Sequence, residues 1–196
     1  MPGADALDPR DPEISRGLAY HTQKSLAKLD ASDSAATADH FQALRKQFPE
    51  VKGIAEVGWS HAGRAVQKLA ESGKFDEALR AIEHYKPLLS EPKQQAELGS
   101  IVYGLWARKL GANQQWQPAL DKLAEGLREY PHEPHLESSL AATIDDWAAP
   151  AIKSKNWEEA IRIYDVGLKD YLPTNKHLTN NRAYCEAMRK QQGKGP

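Results

Sequence analysis

Apolar residues recur along this chain at helical spacing. Ala119, Leu120, Leu123, Ala124 and Leu127 fall at i, i+1, i+4, i+5 and i+8, one stripe on a 3.6-residue period. Leu98, Ile101, Val102, Leu105, Trp106 and Leu110 form a stripe before it, and Leu136, Leu140, Ala141, Ile144, Trp147 and Ala148 form one after it. No stretch combines period-two alternation with β-branched bias, so helices are predicted and a sheet is not. Gly73, Gly111 and Asn156 stand where a helix must stop and turn, as residues tolerant of left-handed backbone. Pro118 falls in a first turn, where it is tolerated. Pro150, just after Trp147, is predicted to bend its helix and free the carbonyl of Asp146.

The stripes belong to an internal repeat. GKFDEALRAIEHYKPLL, QQWQPALDKLAEGLREYP and KNWEEAIRIYDVGLKDYLP open on Phe75, Trp116 and Trp157, at intervals of 41 residues. A small residue follows each aromatic (Ala78, Ala119, Ala160), then a bulky one (Ile82, Leu123, Tyr164). The second and third copies continue with Gly126-Leu127 and Gly167-Leu168 and close on Tyr130-Pro131 and Tyr171-Leu172-Pro173. Phe41, Leu44 and Phe48-Pro49 form a degenerate earlier copy with Thr37 in the small position. The small residues let two helices cross closely, because a larger side chain would hold their axes apart. Trp106 and Trp147 are again 41 residues apart, and with Trp116 and Trp157 they are predicted to lie in the core.

GKFDEAL and KNWEEAI, the later bulky residue, the small-Leu pair and the block-ending proline together resemble the tetratricopeptide repeat. HLTNNRAYCEAM is similar to the start of such a repeat's first helix and echoes HLESSLAATIDD 42 residues earlier. The resemblance covers residues 51–190 well and 12–50 weakly. It implies an all-α, right-handed solenoid of antiparallel helix pairs over 12–191; the ends at 1–11 and 192–196, polar and rich in Pro or Gly, are expected to be flexible. The pairs are expected at 12–49, 51–91, 93–131 and 135–173, with a last helix at 175–191. The period exceeds the family's 34 residues, which lengthens the first helix of each pair. That last helix turns Lys176, Asn180, Arg182, Glu186, Arg189 and Lys190 to water, as a cap does.

In the family, first helices line a concave trough, and their polar residues carry specificity. Tyr103, Arg108, Ser138, Asp145, Asn180 and Asn181 are the corresponding candidates, joined by Trp59, the tryptophan without a repeat equivalent. Asn181-Arg182 resembles part of the set with which some members hold an acidic chain end, but the companion Lys-x-x-x-Asn is missing from 52–71 and 94–111. The implied function is a non-catalytic scaffold that holds a protein or peptide. Two further readings stand beside it: a self-associating subunit forming a homo-oligomer or larger complex, and the regulatory segment of a longer enzyme.

Composition narrows the chemistry. The 196 residues are 40% hydrophobic and 27% charged with a net charge of −1, which suits a packed core. Six basic and eight acidic residues lie in the first fifty, and 20 and 19 in the remainder, so no segment has the basic excess of a nucleic-acid or anionic-lipid binder. No run approaches the ~20 apolar residues of a membrane span. The opening MPGADALDPRDPE lacks a targeting pattern, which makes the cytoplasm the expected location. Cys185 is the one cysteine; an internal disulfide is excluded and a packed thiol expected. His132 and His135, with Glu133 between them, lack the third fixed ligand of a catalytic zinc site and read as exposed turn residues. Asp145 and Asp146 are neighbours, so a helix points them about 100° apart and they cannot face each other as an acid pair. No phosphate-cradling glycine loop, G-x-S-x-G or H-E-x-x-H occurs. No cofactor, metal or catalytic residue is expected.

Overall fold

A computed structural model describes residues 11–26, 34–48, 51–88, 92–131 and 133–193. Its helices run in the order α1 (Pro12–Leu26), α2 (Ser34–Gln47), α3 (Lys52–Glu71), α4 (Phe75–Tyr85) and α5 (Pro92–Ala112). They continue as α6 (Trp116–Glu129), α7 (Pro134–Lys153), α8 (Trp157–Val166) and α9 (Lys176–Gln192), and the three stripes fall on α5 to α7. A 3₁₀ turn at Lys86–Leu88 follows α4, and a π-helical turn at Gly167–Tyr171 follows α8. There is no strand among the described residues, and none of their helices is long and apolar enough to cross a membrane.

Three helix starts, those of α1, α8 and α9, are capped by short polar side chains, whereas α3, α4 and α6 have no side-chain cap. Asp11 Oδ1 accepts the N–H of Glu13 at 2.7 Å, Asn156 accepts that of Glu159 at 3.3 Å and Asn175 that of Leu178 at 3.0 Å. Pro134 opens α7, where no N–H is needed, and Glu133 before it accepts from the His135 N–H.

The turns after α3, α5 and α7 share one geometry. Gly73, Gln114 and Lys155 hold φ of 77°, 58° and 59°, and they too stand 41 residues apart. In each turn the next N–H reaches back five residues: Lys74 to Leu69 at 2.9 Å, Gln115 to Leu110 at 3.0 Å, Asn156 to Ala151 at 2.8 Å. A left-handed residue with this bond is the Schellman stop. The predicted turn residues are therefore corrected in two copies. Gly111 lies within α5, where a Cβ would stand 3.2 Å from the Trp116 ring, so its smallness admits the indole. Asn156 has negative φ and caps α8.

The π turn accounts for another irregularity. Tyr130 donates its N–H to the Gly126 carbonyl at 2.8 Å, an α-helical step, whereas the bond to Gly167 comes from Leu172, one residue later, at 2.8 Å. One inserted residue is absorbed in the wider turn. The repeat interval accordingly grows to 42 beyond it, which carries His135 and Leu136 onto His177 and Leu178.

The chain divides within α5 into two compact units, Met1–Val102 and Tyr103–Pro196. In the first, α1 packs on α3, α3 on α4, and α2 on both α3 and α4. Phe41, Ile54, Val66, Ala78, Ile82 and Tyr85 are buried, and Thr37, the substitute for Ala78 in the degenerate copy, is buried with them. The His61 ring stands between Phe41 and Tyr85, with centroids 6.0 and 6.2 Å away. Burial, then the nearby Arg64 charge, holds His61 below the ordinary histidine value.

In the second unit α6 through α9 pack each on the next, and α9 also touches α7. Ala119 and Ala160 are fully buried. A Cβ on Gly126 would lie 2.8 Å from the Tyr103 ring, and one on Gly167 would lie 2.6 Å from Ile144 Cδ1. The glycines are 41 residues apart and so are the residues they meet, so both crossings are closed at the same register. The repeated tryptophans are less uniform than predicted: Trp157 is buried, while Trp106, Trp116 and Trp147 are half-buried. Charged side chains complete the cover. The Lys122 ammonium sits 4.1 Å over Trp106 and the Arg162 guanidinium 5.4 Å over Trp147.

Candidate functional site

The second unit presents its polar chemistry along α7. Asp145 and Asp146, pointed apart by the helix, serve different surroundings. Asp145 is a hydrogen-bond hub: Tyr164 donates its hydroxyl to Oδ1 at 2.9 Å, Asn181 donates its amide to the same oxygen at 2.9 Å, and His177 Nε2 lies 2.6 Å from Oδ2. The carboxylate selects the Nε2–H tautomer of His177. Asn181 Nδ2, 3.1 Å from that nitrogen, therefore bonds to the carboxylate instead. Burial, then the bond to Asp145, raises the Tyr164 hydroxyl well above the ordinary tyrosine range, so it stays a donor.

Two clefts flank α7. The larger, about 690 Å³, has apolar walls that include Trp116, Ala149 and Pro150, with Arg108, Asp146 and Lys153 at its polar positions. Its share of α7 runs along Thr143, Asp146, Pro150 and Lys153, one face at i, i+3, i+7 and i+10. α7 continues through Pro150 to Lys153, and the proline ring forms part of the wall. The smaller cleft, about 490 Å³, is lined by Glu137, Ser138, Asp145 and His177, with Pro134 and Ala141 among its apolar residues.

The candidates read from the sequence divide accordingly. Arg108 lines the larger cleft, Ser138 and Asp145 line the smaller, and Asn181 holds Asp145. Ser138 donates its hydroxyl to the Pro134 carbonyl at 2.8 Å. Asn180 is exposed on α9 and lines neither of these clefts. Trp59 lies half-buried on α3, in the first unit. Tyr103 is a correction: its ring is buried at 1% exposure against Gly126, and its hydroxyl donates to Glu129 at 2.8 Å. The buried stripe of α5 passes through Leu98, Val102, Tyr103 and Ala107, leaving Ile101 exposed. The repeat carried this signal, since Tyr103 is the register partner of the core residue Ile144.

His177, Glu137, Asp146 and Lys153 were not among the candidates. His177 was legible as the repeat of His135, and Lys153 as the last step of the face through Thr143 and Asp146. Of the histidine pair, His132 lies outside the described residues, and His135 is exposed. Among the described residues no three His, Cys, Asp or Glu side chains come together to hold a metal. Cys185 is fully buried, and burial pushes its thiol up, away from the thiolate that nucleophilic chemistry needs. Compared with known proteins, the chain matches no family model, no curated protein and no solved structure.

Proposed function

We propose that this protein is a non-catalytic interaction scaffold of the tetratricopeptide kind, with the helix pairs of 12–191 forming one solenoid, and that it holds a peptide against the first helices of the second unit. The observation that carries this reading is the pair of clefts on adjacent faces of α7. Each combines apolar wall with a few polar groups, and Asp145 and His177 of the smaller cleft are held by hydrogen bonds. Asp145 is pinned by three partners from α8 and α9, so a ligand meeting it orders little that is not already ordered. Recognition by several moderate contacts on a rigid array suits an extended peptide.

Replacing Asp145 and Asn181 together by alanine tests the reading. Binding of peptides selected against the wild-type chain should weaken by about tenfold or more, or about 1.4 kcal/mol, with helicity unchanged by circular dichroism. Unchanged binding would place the ligand elsewhere.

A further inference from the structure

The two clefts differ in charge. The larger carries Arg108 and Lys153 against the single carboxylate of Asp146. The smaller carries Glu137 and Asp145, with His177 already turned to Asp145. Among the described residues, none forms an ion pair with Arg108, Lys153 or Glu137. Two cationic side chains at one cleft and a carboxylate at the other thus face solvent with their charge uncompensated by an ion pair.

Geometry relates the clefts. Their linings on α7 centre about nine residues apart, which is about 13 Å along the helix axis, and they point about 100° apart around it. Crossing from one to the other over a helix about 10 Å wide takes about 16 Å, or about five residues of extended chain.

Resting on the scaffold reading, we infer that the ligand is an extended peptide with charges of opposite sign about five residues apart. Its acidic residue, beside an apolar side chain laid on Trp116 and Pro150, enters the Arg108–Lys153 cleft. Its lysine or arginine enters the Glu137–Asp145 cleft. A peptide of one sign throughout meets attraction in one cleft and repulsion in the other, so the pair of clefts sets specificity as well as affinity. The balanced charge of the chain as a whole is consistent with a local selector rather than a general polyanion or polycation surface.

Selection from a fully randomised library of peptides of about twelve residues, long enough to span both clefts, tests this on the full chain. The expected winners carry an acid and a base about five positions apart in either order, and reversing either charge in the peptide weakens binding about tenfold. The double variant Arg108→Glu with Lys153→Glu should lose these peptides and prefer versions with lysine in place of the acid. Its helicity, unchanged by circular dichroism, shows that the fold survives. Winners without the charge pair, or a double variant with unaltered preference, would overturn the inference and leave the scaffold reading standing. A library that yields no binder would overturn both.

Discussion

At the scale of single residues, close contact decides more than polarity does. Gly126 faces the ring of Tyr103, which cannot yield without moving its helix, whereas Gly167 faces Ile144, whose nearest atom, 2.6 Å from an added Cβ, is the movable terminal methyl, with Cγ2 and Cγ1 at 3.1 and 3.2 Å. Gly126→Ala should therefore cost about 1–3 kcal/mol of overpacking, offset by about 1 kcal/mol of helix propensity, and Gly167→Ala should cost less. Urea denaturation of the two variants gives the order. Gln114 and Lys155 sit in left-handed backbone, which costs a side-chain-bearing residue roughly 1–2 kcal/mol. Replacing either with glycine should raise stability by about 0.5–1 kcal/mol after the added freedom of the unfolded chain is counted. His61 supplies a pH dependence. Its Nε2 is buried without a hydrogen-bond partner among the described residues, and its folded value lies below the ordinary 6.5. The unfolded chain therefore takes a proton near pH 6.5 that the folded chain refuses. Stability should fall as pH drops below that point and flatten once the folded value is passed. His61→Leu should remove this component of the slope, read as urea midpoints across pH.

Among elements, spacing was informative throughout and turn chemistry only at Gly73. The period of 41 residues placed the helices of the repeated segments, because a stripe of small and bulky residues fixes which face is buried. Ala78, Ala119 and Ala160 are the clearest case: the sequence marks them small and the structure buries all three completely. Ala119→Leu should cost roughly 1–3 kcal/mol in thermal or urea unfolding while leaving the helices in place. Gly73 is left-handed as predicted, but the other two turns were misread because the left-handed position falls on Gln114 and Lys155, residue types with no preference for it, while Gly111 nearby answers to a packing contact. The π turn was legible only as a change of interval, from 41 to 42, whose cause lies in the backbone bond from Leu172 to Gly167. Tyr103 and Ile101 exchanged roles for a related reason: an apolar side chain does not reveal which of two adjacent stripes faces inward.

For the whole molecule, the all-helical character was readable from periodicity, while the site was readable in part. Arg108, Ser138, Asp145 and Asn181 line or support the clefts because polar residues on an amphipathic helix must face somewhere other than the core. Their grouping into a cationic and an anionic cleft depends on Lys153, Glu137 and His177, which only the packing of α5, α7 and α9 brings beside them. The central proposal is a peptide held by the second unit across α7. The most direct test is a ¹H–¹⁵N NMR titration of the full chain with a selected dipolar peptide. Shifts concentrated at Arg108, Ser138, Thr143, Asp145, Asp146 and Lys153, with the signals of α1 to α4 unmoved, are the predicted result. Shifts confined to α1–α4, or none at concentrations where the peptide is bound, would contradict it.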